Sequence, residues 1–262
     1  YGNVFQRVTQ DALGAPVCIS AGGCQCYLPA DCAGQWMRGG SNNRHEGNNA
    51  REMWNAWNPT MEAVVLWGAQ TSASGAAYAA RANADMRERG IKTIVVDPYF
   101  TEEAAKADIW LPVRPMSDIA MLLGWFNYII SNNLYDEEFC KYWTNYPFLI
   151  NPETRLPWRA EEVWPDYVNP SADPNGVYDT PAFVCFDART NSIQPFPFTL
   201  PENSPVDPVV FTTAVVNGVE CPTGGQIQWQ EAEPWTLEKT AEVTWVDADR
   251  IEEAVKLYAT TK

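Results

Sequence analysis

Apolar and polar positions follow a regular rhythm between residues 63 and 130. A continuous apolar run at 63–67 predicts a strand that is covered on both faces. A helical pattern at 75–89 ends at Gly90, and further apolar strands are predicted at 93–96 and 109–113. Because strands alternate with helices, we expect an α/β fold with a Rossmann-like parallel sheet that is flanked by helices.

A longer helix is predicted after Ser117 and Asp118, two residues that can cap a helix N-terminus. The spacing of its large side chains predicts one apolar face, made of Ile119, Leu122, Leu123, Phe126, Ile129 and Ile130.

The pattern changes after about residue 145. Residues 146–235 contain most of the 20 prolines, short β-like runs at 183–186 and 209–216, and the turn signal Asn217-Gly218. A helix is predicted again at 248–259. We therefore expect an α/β core at 1–145, an irregular, Pro-rich, β-decorated extension packed on it at 146–235, and a helical segment at 236–262.

Charge narrows the possible partners. The 262 residues include 18 Lys and Arg and 33 Asp and Glu, for a net charge of −15, without a basic cluster that could hold nucleic acid or an anionic membrane surface. No apolar run reaches the roughly 18 residues that a membrane span needs. The chain begins with Tyr1 rather than Met, so we expect it to be a piece of a longer chain. It shows no signal-peptide pattern, and the sequence does not indicate the cellular compartment.

The cysteines and the single histidine limit the metal chemistry. Seven cysteines occur without a Cys-x-x-Cys pair, and His45 is the only histidine, which disfavours both a zinc site and a four-thiolate iron–sulfur cluster. Four of the cysteines lie within residues 18–32. They are either a metal-facing loop or small buried apolar residues.

Polar residues follow each of the three predicted strands. The first strand leads into a loop of small residues at 68–74, the second into Asp97, and the third into Arg114-Pro115-Met116-Ser117-Asp118. Ligands of parallel α/β sheets bind at the carboxyl ends of the strands. The small-residue loop suits a phosphate at a helix start, and Asp97 suits a ribose hydroxyl or a guanine edge. Asp118 could equally be only a favourable residue at a helix N-terminus.

These segments resemble a known family in their order and spacing. LWGAQTSAS, VVDPYFTEEAAKADIWLPVRPMSD and LYDEEFCKYWT are similar to catalytic subunits of the dimethyl sulfoxide reductase family, which carry molybdenum or tungsten on two pyranopterin guanine dinucleotides. The resemblance is dense over about residues 60–145, and a later segment at 235–251 is also similar.

The resemblance implies a role for each matching residue. It assigns Gly68, Gln70 and Ser74 to the phosphates and ribose of one nucleotide, Asp97 and Pro98 to its guanosine, and Ser117 and Asp118 to the guanine edge. This chain departs from the family pattern at several positions. Gln70 and Thr71 replace the usual Asn-Pro, Tyr99 replaces an Arg, and Met116 replaces a Gly.

The family's metal ligand lies upstream of the first motif, in the cysteine-rich stretch. Cys26, which is followed by Tyr-Leu-Pro, fits best, and Cys24 fits nearly as well. A thiolate suits a soft molybdenum or tungsten centre. If neither cysteine serves, Asp31 or a residue outside the chain is the ligand. His45 is either an active-site acid or base or a surface loop histidine.

The resemblance also implies what the whole protein does. The chain would be the central fragment of a molybdopterin oxidoreductase and inactive alone, because half of the cofactor cage lies in the remaining domains. Electrons would enter through an iron–sulfur cluster in an N-terminal segment or a partner subunit. The Pro-rich stretch is similar to the transhydroxylase and catechol dehydroxylase branch, which implies oxygen or hydroxyl transfer on a small phenolic substrate. The alternative is a nucleotide-binding or structural α/β module without metal.

Overall fold

The computed structural model describes residues 7–15, 60–74, 77–175, 180–197 and 199–261. A short π-helix at Arg7–Ala12 comes first. The strands are β1 (Ala63–Trp67), β2 (Lys92–Val96), β3 (Ile109–Leu111), β4 (Phe183–Asp187), β5 (Ser192–Phe196), β6 (Thr213–Val216) and β7 (Val219–Pro222). The α-helices are α1 (Thr71–Ser74), α2 (Ala77–Glu88), α3 (Asp118–Ser131), α4 (Glu137–Tyr142), α5 (Ala160–Val163), α6 (Gly224–Ala232), α7 (Leu237–Thr244) and α8 (Ala248–Thr260). Single 3₁₀ turns lie at Ala104–Lys106 and Pro201–Asn203.

The first three strands form one sheet in the order β1-β2-β3. β2 and β3 run parallel, with Ile94 opposite Ile109 and Val96 opposite Leu111. The predicted parallel sheet flanked by helices is therefore confirmed. β3 ends at Leu111 rather than at residue 113, because Pro112 has no N–H to donate and the Val113 N–H turns back to the Leu111 carbonyl at 2.8 Å.

Helices α3, α7 and α8 cover the sheet and bury one continuous apolar core. Ile94, Val96 and Leu111 are fully buried from the sheet side, and Met121 of α3 and Ile251 of α8 are fully buried opposite them. β2 has no exposed residue after Lys92, which agrees with its almost purely apolar sequence. The core thus fixes the positions of the strand ends.

The buried face of α3 differs from the predicted one. Met121 and Trp125 are buried, whereas Ile119 is 73% exposed and Leu122 is 43% exposed. The prediction is wrong for Ile119 and Leu122, although Ile129 does pack against the core. The reason is that α3 is apolar almost all round, so its periodicity does not single out one face. Leu122 and Phe126 instead line an apolar groove of about 380 Å³, together with Val65, Trp67, Trp125, Ile129 and Tyr258.

The chain divides into two compact units. Among the described residues, α1 and α2 belong to the first unit, and Val65–Gln70 together with the residues from Lys92 onward belong to the second. In the first unit, α2 ends at Glu88, and Gly90 stops it as predicted: φ of Gly90 is +80°, and the next N–H, that of Ile91, donates to the Met86 carbonyl at 3.1 Å.

The Pro-rich extension contains two antiparallel hairpins, β4-β5 and β6-β7. The predicted turn is confirmed: Asn217 and Gly218 have φ values of +50° and +82°, as a type I′ hairpin turn requires. The extension also contains α6, which the prolines obscured. Its N-cap Thr223 accepts a hydrogen bond from the Gln226 N–H, and this Thr-x-x-Gln spacing is a signal that the sequence offered.

Asp187 ends β4 in a dense set of hydrogen bonds. Its side chain is 1% exposed and accepts from the N–H groups of Asp207 (2.7 Å), Thr190 (3.0 Å) and Arg189 (3.3 Å) and from the Thr190 hydroxyl (2.7 Å). This carboxylate ties the hairpin to the segment around Asp207. Within the described ranges, no helix is both long and apolar enough to cross a bilayer.

Candidate functional site

The three strand ends are joined to one another at the carboxyl edge of the sheet. The Gly68 N–H donates to the Val96 carbonyl at 2.9 Å, and the Asp97 N–H donates to the Leu111 carbonyl at 3.2 Å. The residues after β1, β2 and β3 therefore lie along one edge, as the parallel order requires. We call this edge the strand-end site and define it by Gly68, Gln70, Asp97, Ser117 and Asp118.

Gly68 begins the loop after β1 with φ of +56°, a conformation that favours glycine. An added Cβ would meet no atom within 4 Å, so the need for glycine is conformational rather than steric. Gln70 is half-buried at the end of the same loop.

Ser74 is the last residue of α1, in the other unit. There, the Thr71 and Ser72 hydroxyls accept from the Asn83 side-chain amide at 2.8 and 3.2 Å. These bonds attach α1 to α2. The roles of Gly68, Gln70 and Ser74 toward a phosphate stay predictions.

Asp97 lies directly after β2 and is 9% exposed. Its Oδ1 accepts from the Tyr99 N–H at 2.8 Å, and its backbone carbonyl accepts from the Trp110 indole N–H at 2.9 Å. Within the described part of the chain, Tyr99 is the single donor to this carboxylate. A carboxylate has room for about four hydrogen bonds, so Asp97 keeps most of its capacity for a ligand. Pro98 follows it on the surface.

Asp118 holds the end of β1. Its Oδ1 accepts a hydrogen bond from the indole N–H of Trp67 at 2.7 Å, and Trp67 directly precedes Gly68. Asp118 also opens α3, where a negative charge is favourable. It is therefore more than a residue at a helix start, because it connects two strand-end segments.

Ser117 occupies the N-cap position of α3 but does not cap it with its side chain. The hydroxyl donates instead to the Arg114 carbonyl at 2.6 Å, which closes the loop between β3 and α3. The predicted Ser117 cap is wrong for this reason. Met116 lies at the tip of the same loop, 99% exposed with φ of +67°, at the position where the family usually has glycine.

The sequence missed a contact between Arg114 and Trp245. The Arg114 N–H donates to the Thr244 carbonyl at 2.8 Å, and its guanidinium carbon lies 4.7 Å from the centroid of the Trp245 ring. Trp245 is 70% exposed and has φ of +62°, which costs a bulky residue about 1 to 2 kcal/mol. No pattern in the sequence indicates this pairing, since the two residues are far apart in the chain.

The predicted metal ligands Cys26 and Cys24, the alternative Asp31, and the predicted acid or base His45 lie outside the described residues. Among the residues that are described, no three His, Cys, Asp or Glu side chains come together as a metal site. The assignments of these four residues stay predictions.

Comparison with known proteins decides the family. A family model described as molybdopterin oxidoreductase matches residues 24–235. The chain belongs to the molybdopterin oxidoreductase family. The family predicted from the strand-end motifs is thereby confirmed, and the strand-end site lies within the matched range.

Individual proteins are similar to parts of this chain. The chain is 29% identical over 202 residues to a Halobacterium salinarum protein named as a dimethyl sulfoxide reductase catalytic subunit, over 76% of this chain and 22% of that protein. It is 40% identical over 86 residues to dopamine dehydroxylase of Eggerthella lenta, over 33% of this chain and 8% of that protein. The structure of acetylene hydratase from Pelobacter acetylenicus matches with a TM-score of 0.41 and 22% identity, over 78% of this chain and 17% of that one. The chain therefore spans about a fifth of the length of the first relative.

Proposed function

We propose that this chain binds the guanosine end of a pyranopterin guanine dinucleotide in a molybdenum or tungsten oxidoreductase. The observation that carries the proposal is the pair of edge carboxylates. Asp97 retains free acceptor capacity, and Asp118 is held in place by Trp67 on the same edge. Family membership supports the pterin part of the cofactor, and the guanosine part rests on the chemistry of these side chains.

The donor and acceptor sets fit each other. A guanine presents its N1–H and N2–H₂ groups along one edge, and a ribose presents two hydroxyls, so both need acceptors. Asp97 and Asp118 supply carboxylate oxygens, and hydrogen bonds to charged acceptors are the stronger kind. Asp118 would accept from the guanine edge and Asp97 from the ribose or the base. When bound, the metal–pterin group supplies two-electron chemistry with oxygen or hydroxyl transfer.

A nucleoside titration tests this proposal. We expect the full chain to bind guanosine more tightly than adenosine, because adenine lacks adjacent N–H donors on that edge. In Asp118→Asn the amide oxygen still accepts from Trp67, but the charge is lost, so guanosine affinity should fall about tenfold. Asp166→Asn, an exposed aspartate in the Pro-rich extension, is the matched control and should bind as the wild type does. Equal affinity for guanosine and adenosine would reject the guanosine assignment.

The metal ligand requires a separate experiment in a longer parent chain. We propose Cys26 as the ligand, with Cys24 as its rival, and His45 as an acid or base near the substrate. Cys26→Ala in the parent should abolish activity and leave the fold intact, since a loop ligand contributes little core packing. Activity that survives in Cys26→Ala but not in Cys24→Ala would move the role to Cys24. Activity in both variants would leave Asp31 or a residue outside the chain as the candidate metal ligand.

The substrate and the partners are finer proposals. We propose that the parent transfers oxygen or hydroxyl on a small phenolic molecule, which the similarity to dopamine dehydroxylase supports over 86 residues. Further domains of the parent would complete the cofactor cage, so this chain alone should be inactive. An iron–sulfur segment or subunit would deliver electrons. Turnover of catechols, compared with that of formate and sulfoxides, by the intact parent would test the substrate class.

A further inference from the structure

Gly68, Gln70 and Ser74, the residues assigned to phosphate, carry no charge, so the diphosphate of a guanine nucleotide still lacks a positively charged partner at the strand-end site. Asp97 and Asp118 place two carboxylates on this edge, and they repel a diphosphate. The segments that follow β1, β2 and β3, at 68–70, 97–101 and 112–117, contain a single Lys or Arg, namely Arg114.

Arg114 is exposed, and among the described residues no carboxylate pairs with it. Its guanidinium lies over the Trp245 ring, 4.7 Å from the centroid, and its backbone is fixed by the hydrogen bond to Thr244. An aromatic face holds a guanidinium in place and leaves its five N–H groups directed outward, and these match phosphate oxygens. The arrangement orients a cation without neutralising it.

The backbone conformation and the exposure of Trp245 are both unfavourable for a tryptophan. It ends α7 in the left-handed region, which glycine would occupy without strain, and its ring is 70% exposed rather than packed in the core. Strained and exposed residues of this kind concentrate at functional sites. The burial of apolar surface does not explain why a tryptophan stands here, whereas its contact with Arg114 does.

We propose that Arg114 binds the diphosphate of the guanine nucleotide and that Trp245 is its positioning residue. The inference rests on the proposed function. A purely structural reading is that Arg114 only neutralises the negative C-terminal end of α7. The two readings differ in one measurable quantity, the preference of the chain for guanosine diphosphate over guanosine.

The experiment measures the dissociation constants of guanosine diphosphate and guanosine with the full chain at low and high salt, with thermal melting as a check of folding. We expect the wild type to prefer the diphosphate, and this preference should weaken as salt rises. Arg114→Gln should lower diphosphate affinity about tenfold and leave guanosine affinity unchanged. Trp245→Ala keeps the backbone strain but removes the ring, and should lower diphosphate affinity about threefold. Trp245→Phe should restore most of it.

A second cation–π pair, at the opposite end of α7, provides the control. Lys239 lies over Trp235 at 4.4 Å near the other end of α7, so Lys239→Gln removes an equivalent charge and should leave both affinities unchanged. Unchanged diphosphate affinity in Arg114→Gln would overturn the inference, as would an equal loss of guanosine and diphosphate binding. Guanosine binding in the wild type without a preference for the diphosphate would overturn the inference and leave the proposed function standing. A wild type that binds neither molecule would reject both.

Discussion

Two buried aspartates follow strands in this molecule and are held very differently. Asp97 comes after the run Thr-Ile-Val-Val, and Asp187 ends the run Phe-Val-Cys-Phe. Asp187 accepts four hydrogen bonds from its own chain, whereas a single backbone N–H, that of Tyr99, donates to Asp97 within the described ranges. A carboxylate saturated by its own protein maintains the fold, and one left with free acceptor capacity can serve a ligand.

The pKa of Asp187 reflects this saturation. Burial by itself raises the pKa of its carboxyl, but the hydrogen bonds from Asp207, Thr190 and Arg189 outweigh burial, so the pKa lies below its ordinary value. The hydrogen bonds of the β4-β5 hairpin therefore stabilise the ionised form of the Asp187 carboxyl.

The largest expected effect is on stability, at Asp187. Asp187→Ala removes the buried acceptor for three backbone N–H groups and one hydroxyl, and should lower the free energy of unfolding by about 3 kcal/mol. Urea denaturation measures the change. Asp166→Ala, an exposed aspartate, should differ from the wild type by less than about 0.5 kcal/mol. A change of less than about 0.5 kcal/mol in Asp187→Ala would contradict the structural role of Asp187 and remove its contrast with Asp97.

The second effect is on binding, at Asp97. In Asp97→Asn the amide oxygen still accepts from the Tyr99 N–H, so the free energy of unfolding should stay within about 0.5 kcal/mol of the wild type. Guanosine affinity should fall about tenfold, because a charged acceptor is lost. Isothermal titration and urea denaturation on the same preparation separate the two quantities. A large loss of stability with unchanged affinity would make Asp97 a structural residue like Asp187.

A third, smaller effect concerns Trp67, whose indole donates to Asp118. Trp67→Phe keeps an aromatic ring against Trp125 but removes the N–H donor, and should lower the free energy of unfolding by about 1 kcal/mol. If this single bond orients Asp118, guanosine affinity should fall as well. Guanosine titration of Trp67→Phe measures this affinity. Trp143→Phe, a change at an exposed tryptophan outside the strand-end site, is the control. Equal affinity in the two variants would show that the bond to Trp67 does not orient Asp118 for the base.

The smallest effect is on the acid dependence of stability. Because the pKa of Asp187 is lowered in the folded state, its contribution is present above the unfolded-state value of about 3.9 and is lost as the pH falls through the folded value. In Asp187→Asn this component is missing, so its stability should decline less steeply below about pH 4. Urea midpoints at a series of pH values compare the two slopes. Parallel curves for wild type and variant would contradict the lowered pKa.

Local elements with a strong pattern follow from the amino-acid sequence alone. The apolar runs predicted β1, β2 and β3 to within two residues at each end, Gly90 stopped α2, and Asn217-Gly218 formed the β6-β7 turn. Each of these features depends on the conformational preferences of a few adjacent residues. The order of polar residues after these strands also predicted the family.

The buried face of α3 and the partners of each polar side chain depend on the packed molecule. α3 is apolar all round, so packing against the sheet and α8 selected Met121 and Trp125 over Ile119. The Ser117 hydroxyl donates to the Arg114 carbonyl instead of capping α3, and Asp118 accepts a hydrogen bond from Trp67, fifty-one residues away in the chain. Asp97 and Asp187 follow similar apolar runs, but the turn after Asp187 folds back so that Arg189 and Thr190 donate to it, and the Asp207 N–H reaches it from 20 residues away. A hydrogen bond depends on positions in space, and those positions are fixed only when the whole core has packed.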